Sequence, residues 1–350
     1  MMPAETPTEM PVERHAEIAA FLDAAGWGAA RRQPLAGDAS ARRYERLSTV
    51  SDRRAVLMDM PPASGLVVGP FLAVAAWLRA AGLSAPEVLA ADPDRGLVLL
   101  EDLGDDLFAR LSDADPSAAP GLYTAAVDLL ADVQRLPPPA ADGWSPPPYD
   151  AALLLREARL AVEWYLPAAT AAPVPPDLAA EFDVHAAAAF APVAGTRAAA
   201  VFRDYHAENL LWLPDRRGHA RVGLLDFQDM LVGHPAYDLV SLLKDARRDV
   251  PAELRAAMTG RYLARSGAEP EAFAAAAHVL SAQRNLKILG LFTRLCRRDG
   301  KPRYLALLPR VWDHLVRDLD HPDLRPLADF VARHLPAPEA TVRARIEASA

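Results

Sequence analysis

The sequence predicts an α+β protein in two lobes, a small β-rich one followed by a larger helical one. Three observations carry that expectation. The chain has 350 residues, more than a single hydrophobic core usually organises. Its texture changes near residue 100, from short apolar runs broken by turns to long stretches of helical spacing. Inside the helical part, one pair of short apolar runs separated by a polar turn lies between Phe202 and Leu239.

The elements follow in order. Ile18, Phe21, Leu22 and Ala25 recur at helical spacing and Gly26 stops the run, predicting a helix over 12–25. Residues 29–60 read as a three-stranded meander: a run to Leu35, a turn at Gly37-Asp38-Ala39-Ser40, a run to Leu47, then Ala55 to Met60. PFLAVAAWLRAAG predicts a helix over 70–82 with a proline start and a glycine stop. Val88–Ala91 and Leu97–Leu100 are two further strands, so the first lobe covers 1–100. Glu101-Asp102-Leu103-Gly104 ends the apolar run and reads as a hinge, leaving 105–350 for the second lobe. There helices are expected at 121–136, 150–166, 177–191, 237–248, 251–265, 271–298, 303–319 and 323–335. The proline-rich stretch Leu136–Tyr149 reads as a stiff spacer.

Composition narrows the class. Hydrophobic residues make up 51% and charged residues 24%, the balance of an ordinary globular protein. A net charge of −8 argues against a general nucleic-acid binder. Cys296 is the one cysteine, which excludes an intrachain disulfide and suits a reducing cytoplasm. The first residues lack a basic start and an apolar core, so no signal peptide is expected, and no apolar run reaches membrane-spanning length. The expected partner is therefore a small molecule, with neither nucleic acid nor membrane, and the chain is expected to work as a cytoplasmic monomer.

The chemistry concentrates in FRDYHAENLLWLP and RVGLLDFQDMLVGHPAYDL. Asp204 precedes Asn209 by five residues, a hairpin follows, and its second strand ends at Asp226-Phe227. Three oxygen-bearing side chains are thus set around one hairpin. Phosphoryl transfer needs such a set: a carboxylate to orient and deprotonate the attacking hydroxyl, and an amide with a carboxylate to hold Mg²⁺ on nucleotide phosphates. Asn209 and Asp226 supply the few hard oxygen ligands that Mg²⁺ takes from a protein. The spacing points to a small-molecule kinase.

The order of β-lobe, hinge and helical lobe, with those two motifs, resembles the aminoglycoside phosphotransferase family over nearly the whole chain. The resemblance implies a bilobal, protein-kinase-like fold with ATP and Mg²⁺. It implies Asp204 as catalytic base, Asn209 and Asp226 as metal ligands, and Asp238 of GHPAYDL as a buried carboxylate pinning the catalytic loop through backbone N–H groups. Gly37, Asp38, Ser40, Arg42, Arg43, Glu101 and Leu103 are the positions expected to meet the nucleotide. LAGDASARRYERL at 35–47, VLMDMPP at 56–62 and QRNLKILGLFTRLCRRDGKPRYLALLPRVW at 283–312 resemble one branch of that family. That branch comprises the cell-wall-recycling kinases acting on the anomeric hydroxyl of N-acetylmuramate and N-acetylglucosamine.

One departure stands out. Kinases of this fold place a lysine on the third strand and pair it with a glutamate on the next helix. Here Met58 stands near the lysine position, residues 1–100 contain no lysine, and the helix at 70–82 contains no acid. Loss of both halves leaves no unpaired charge, and it keeps open a nucleotide-binding pseudokinase, beside another kinase of the aminoglycoside, choline or homoserine type. Arg42 or Arg43 is expected to hold the phosphates instead, since a guanidinium binds phosphate in a bidentate fork. Strand parity alone decides which.

The acceptor leaves a fainter mark. Arg284, Lys287, Arg294 and Arg298 fall within a stripe roughly 80° wide at about 100° per residue. Such a stripe suits the lactyl carboxylate of muramate better than a polycationic antibiotic. His206, Asp229, Asp299 and Tyr304 are further candidates for sugar hydroxyls.

Overall fold

The computed structural model describes residues 12–35, 42–141, 143–196 and 199–348. The chain divides into two compact units, Met1–Asp105 and Asp106–Ala350. Among the described residues no helix is long and apolar enough to cross a membrane.

The first unit opens with α1 (Val12–Ala24), then β1 (Arg31–Leu35), β2 (Arg43–Ser48), β3 (Arg54–Asp59), α2 (Gly69–Ala80), β4 (Val88–Asp92) and β5 (Leu97–Glu101). The strands form one antiparallel sheet in the order β1-β2-β3-β5-β4. Ile18, Phe21 and Leu22 of α1, with Trp27, pack on Leu47, Ala55, Leu57, Leu97 and Leu99. Because strand side chains alternate, this core uses the odd-numbered residues of β2, β3 and β5 and leaves Val56, Met58, Val98 and Leu100 on the other face. At the end of β3, buried Asp59 accepts from buried Arg14 of α1 at 3.0 and 2.5 Å. Gly96 closes the β4–β5 turn over β3: at φ +66, an added Cβ would lie 1.9 Å from the Met60 carbonyl oxygen. The segment after β5 is tied back by Arg46, which pairs with Asp102 and Asp105, each at 2.8 Å.

The second unit begins with α3 (Phe108–Ala114), α4 (Ala119–Val133) and α5 (Ala151–Ala158). A single π turn (Ala161–Tyr165) leads to α6 (Leu166–Thr170), and α7 (Pro176–Phe190) follows. Four three-residue strands come next: β6 (Ala199–Val201), β7 (Leu210–Trp212), β8 (Val222–Leu224) and β9 (Leu231–Gly233). β7 pairs with β8 as the expected hairpin, and β6 pairs with β9. The rest is helical: α8 (Ala236–Leu243), α9 (Ala252–Ser266), α10 (Pro270–Arg297), α11 (Leu308–Leu319), α12 (Arg325–His334) and α13 (Ala340–Ala348). α10 packs against α5, the π turn, α8 and α11, which explains why its buried residues occur on every face. Gly290 permits the closest of these approaches, since a Cβ there would fall 2.0 Å from the Leu160 carbonyl oxygen.

Several expectations need correction. The helix foreseen at 150–166 is broken by the π turn, which leaves hydrophobic periodicity nearly intact and carries no glycine or proline to mark it. The helix foreseen at 303–319 starts at Leu308, after a 3-10 segment from Pro302 to Leu307. α3, α13 and the pair β6–β9 were not foreseen; three-residue strands are too short for a period of two to register. The proline-rich stretch is more than a spacer at its end. Val232 donates to the Pro147 carbonyl at 2.9 Å and Tyr149 to the Val232 carbonyl at 2.8 Å, so it runs beside β9.

Candidate active site

β6 hands the chain directly to Phe202, Arg203 and Asp204, and the backbone there takes an unusual turn. Arg203 has φ 70, and Asp226 across the hairpin has φ 54. Among the described residues only four non-glycine residues have positive φ, the other two being Asp52 and Ala171. A left-handed conformation is unfavourable for a side-chain-bearing residue and persists only where the surroundings fix it.

The surroundings fix Arg203 through its backbone N–H, its carbonyl and the end of its guanidinium. Asp238, fully buried on α8, accepts from the backbone N–H of Phe202 at 2.7 Å and of Arg203 at 2.9 Å. It makes no helix-capping bond. The Arg203 carbonyl accepts from the Arg284 guanidinium at 2.9 Å and from the Ser241 hydroxyl at 3.3 Å. The Arg203 guanidinium pairs with Glu157 of α5 and reaches the Asp229 carbonyl at 3.5 Å.

Glu157 is the hub that sequence reasoning missed. Its side chain is buried, and it accepts from Arg203 and the Tyr149 hydroxyl, from Lys287 at 3.1 Å and from Gln283 at 3.4 Å. Nothing in ALLLREARL distinguishes this glutamate from a surface acid; only the packing of α5 on α10 brings it inward. Burial pushes its carboxyl up, but Lys287 and then Arg203 outweigh that and hold it at about 2. Asp204 behaves alike: burial works against ionisation, while Lys287 and Arg284 overcome it and hold the carboxyl at about 2. Burial dominates at Asp238, whose carboxyl is pushed up to about 7 against the pull of its two N–H donors.

Asn209 follows the loop as a short 3-10 turn ends. Its Nδ2 donates to the Asp204 carbonyl at 2.9 Å, which leaves Oδ1 as its free oxygen ligand. Leu225 donates to the Asn209 carbonyl at 3.0 Å, so Asp226 is carried to the same end of the hairpin. Asp226 is exposed and Gln228 steadies it, donating to Oδ1 at 2.7 Å. Two oxygen donors at one end of the β7–β8 hairpin, one amide and one carboxylate, suit Mg²⁺ that completes its shell with water and phosphate. His206 is buried, and burial pushes its imidazole down to about 4, so it is neutral at physiological pH.

The other expected residues scatter. Arg284 lies buried under the loop, over the Tyr237 ring at 5.5 Å, and Lys287 sits one helical turn later on Glu157. Arg294 and Arg298 are farther along α10, about 10 and 16 Å beyond Lys287 by helical rise, and Arg298 pairs with Asp299 at 2.6 Å. The stripe is therefore two separate groups, of which only Arg284 and Lys287 belong to the Asp204 site. Tyr304 is buried against Phe292, which removes its ring from solvent and from a sugar. Asp229 is exposed beside Gln228, whose Nε2 lies 3.4 Å away.

Gly37, Asp38 and Ser40 lie outside the described residues. Arg42 and Arg43 sit in the first unit at the start of β2. Tyr44 is opposite Met58 and Arg43 opposite Asp59, so parity puts Arg43 on the α1 face and Arg42 on the Met58 face. Arg42 is buried and Arg43 exposed. Glu101 ends β5, where its carboxylate accepts from the Glu87 N–H at 3.3 Å, and Leu103 lies in the segment tied by Arg46.

Known proteins match this arrangement at two levels. An N-acetylmuramate/N-acetylglucosamine kinase of Caulobacter vibrioides is 44% identical, over 93% of this chain and 97% of its own. A protein of the same description from Pseudomonas aeruginosa is 34% identical, over 88% of this chain and 91% of its own. In fold, a choline kinase from Streptococcus pneumoniae superposes with a TM-score of 0.58 at 11% identity, over 89% of this chain and 99% of its own. Residues 31–276 match the phosphotransferase enzyme family, and the chain belongs to that family.

Proposed function

We propose that this chain is an ATP-dependent, Mg²⁺-requiring kinase that phosphorylates the anomeric hydroxyl of N-acetylmuramate and N-acetylglucosamine. The reaction type is supported by one observation above the rest: Asp204, kept ionised by Lys287 and Arg284, ends a loop locked by Asp238 beside the oxygen pair Asn209 and Asp226. The acceptor is supported by the names of the relatives from Caulobacter vibrioides and Pseudomonas aeruginosa.

Asp204 receives the acceptor's proton. A carboxylate held near 2 is a weak base, so the proton moves late, after the bond to the leaving oxygen has largely broken, as suits a loose phosphoryl-transfer transition state. An anomeric hydroxyl is a hemiacetal and releases its proton more readily than an ordinary alcohol, which fits a weak base. Asn209 and Asp226 would hold Mg²⁺, whose charge offsets that of the nucleotide phosphates when bound. The Asp238 clamp fixes where the Asp204 oxygens stand before the sugar arrives.

Coupled ADP release measured side by side with N-acetylmuramate, N-acetylglucosamine and kanamycin tests this reading. Turnover with both amino sugars, dependent on Mg²⁺ and lowered at least ~10²-fold in Asp204→Asn, is expected. Turnover with kanamycin alone, or an Asp204→Asn variant as fast as wild type, overturns it.

A further inference from the structure

We propose that Glu157 is a positioning residue for phosphoryl transfer: it binds Lys287 and Arg203 and so keeps both cations off Asp204, whose oxygens stay open to the acceptor hydroxyl. The proposal rests on the kinase reading and extends it to a residue on a helix remote in sequence from the catalytic loop.

Three cations converge on the Asp204 loop. Arg284 is engaged by the Arg203 carbonyl and by the Tyr237 hydroxyl at 3.3 Å. Arg203 and Lys287 both end on the same Glu157 oxygen, Oε1. The other oxygen faces Tyr149 and Gln283. Gln283 is itself anchored on the Leu154 carbonyl at 3.1 Å, and Tyr149 on β9 at 2.8 Å, so the carboxylate is held from two sides.

Arg284, one turn before Lys287 on α10, donates to the Arg203 carbonyl at 2.9 Å, and Lys287 shares Glu157 Oε1 with the Arg203 guanidinium, which places its ammonium beside the Asp204 loop. Glu157 and the Asp204 carboxylate thus compete for one ammonium. The Lys287 side chain is only 12% exposed, and a charge so enclosed keeps its need for a counter-ion. With the Glu157 charge removed, Asp204 becomes that counter-ion. An ammonium on Asp204 takes the lone pair that must receive the sugar proton and swings the carboxylate toward α10. A supporting ion pair that served only stability would have no such consequence.

The test is a suppressor experiment, with N-acetylglucosamine as acceptor because it carries no carboxylate of its own for Lys287 to bind. Glu157→Gln keeps the shape and one acceptor oxygen and removes the charge. It is expected to lower kcat by ~10- to 100-fold while KM for the sugar changes less than about threefold. Adding Lys287→Met to Glu157→Gln removes the misdirected ammonium and is expected to raise kcat at least about fivefold over the single variant. A purely structural role predicts the reverse, since the double variant loses two interactions rather than one. Wild-type kcat in Glu157→Gln, or a double variant no faster than the single one, overturns the proposal. Should Glu157→Gln fail to fold, the double variant decides alone, because it lacks the charge and one of its two cationic partners. A kcat within about tenfold of wild type supports the proposal, and an unfolded or slower protein overturns it. A wild-type protein that turns over no amino sugar would sink the kinase reading instead, so the two failures are distinguishable.

Discussion

Asp238→Asn isolates the clamp on the Asp204 loop. The substitution preserves shape but turns one carboxylate oxygen into an NH₂ donor facing a backbone N–H, either of Phe202, now at 2.7 Å, or of Arg203, at 2.9 Å. One hydrogen bond is lost and one N–H is left facing a donor. Each Asp238 oxygen accepts from one backbone N–H, and the lost bond is worth about 1.5 kcal/mol, where the neutral and charged ranges meet. The stranded N–H adds about 1–3 kcal/mol, giving roughly 2.5–4.5 kcal/mol in all. For a unit of this size that corresponds to a fall in Tm of about 5–18 °C. The kinetic effect is separate. Arg203 holds φ 70 only while its N–H and carbonyl are both engaged, and a displacement of Asp204 of about 1 Å costs on the order of 10²-fold in kcat. Thermal unfolding followed by far-UV circular dichroism reads the first effect, and coupled ADP release with N-acetylglucosamine, below the melting range, reads the second. A variant that melts within about 2 °C of wild type and keeps more than about half its kcat would refute the clamp.

Three further outcomes follow from the same geometry. Gly290→Ala places a methyl 2.0 Å from the Leu160 carbonyl oxygen, so α10 must withdraw from the π turn; a loss of about 3 kcal/mol or more is expected in urea unfolding, and a neutral result would contradict the packing. Glu157 and Asp204 are both held at about 2, below the 4.5 and 3.8 ordinary for these groups. At these two groups the unfolded chain therefore binds more protons between pH 2 and about 4.5, and the stability they contribute, complete above that window, is lost as pH falls through it, at roughly 2 kcal/mol per pH unit for the two together. Urea series from pH 4.5 to 3 check this, with Glu157→Gln expected to show a shallower slope than wild type; parallel slopes would refute it. In the first unit, Arg42→Ala is expected to raise KM for ATP at least about tenfold and more than Arg43→Ala does, because only Arg42 shares the Met58 face. The opposite order would refute the parity argument.

The sequence alone determined what local pattern can encode. Alternation and turn residues place the five strands of the first unit, and FRDYHAEN with LLDFQD places Asp204, Asn209 and Asp226 around one hairpin, because motif spacing and hairpin geometry are both short-range properties. The π turn after α5, the three-residue strands β6 and β9 and the split of the basic stripe were decided by tertiary contact. Helical spacing puts Arg284, Lys287, Arg294 and Arg298 on one face, but a helix of 28 residues carries that face past several different neighbours. Parity between Arg42 and Arg43 needed the register with Met58 and Asp59, and register depends on pairing between strands. Glu157 shows the limit most plainly. An acid on an amphipathic helix reads as solvent-facing until α5 is packed on α10. Only then do Arg203, Lys287, Tyr149 and Gln283, from three other segments, meet on its carboxylate. A buried charge is stable only where such partners converge, and that convergence is a property of the fold.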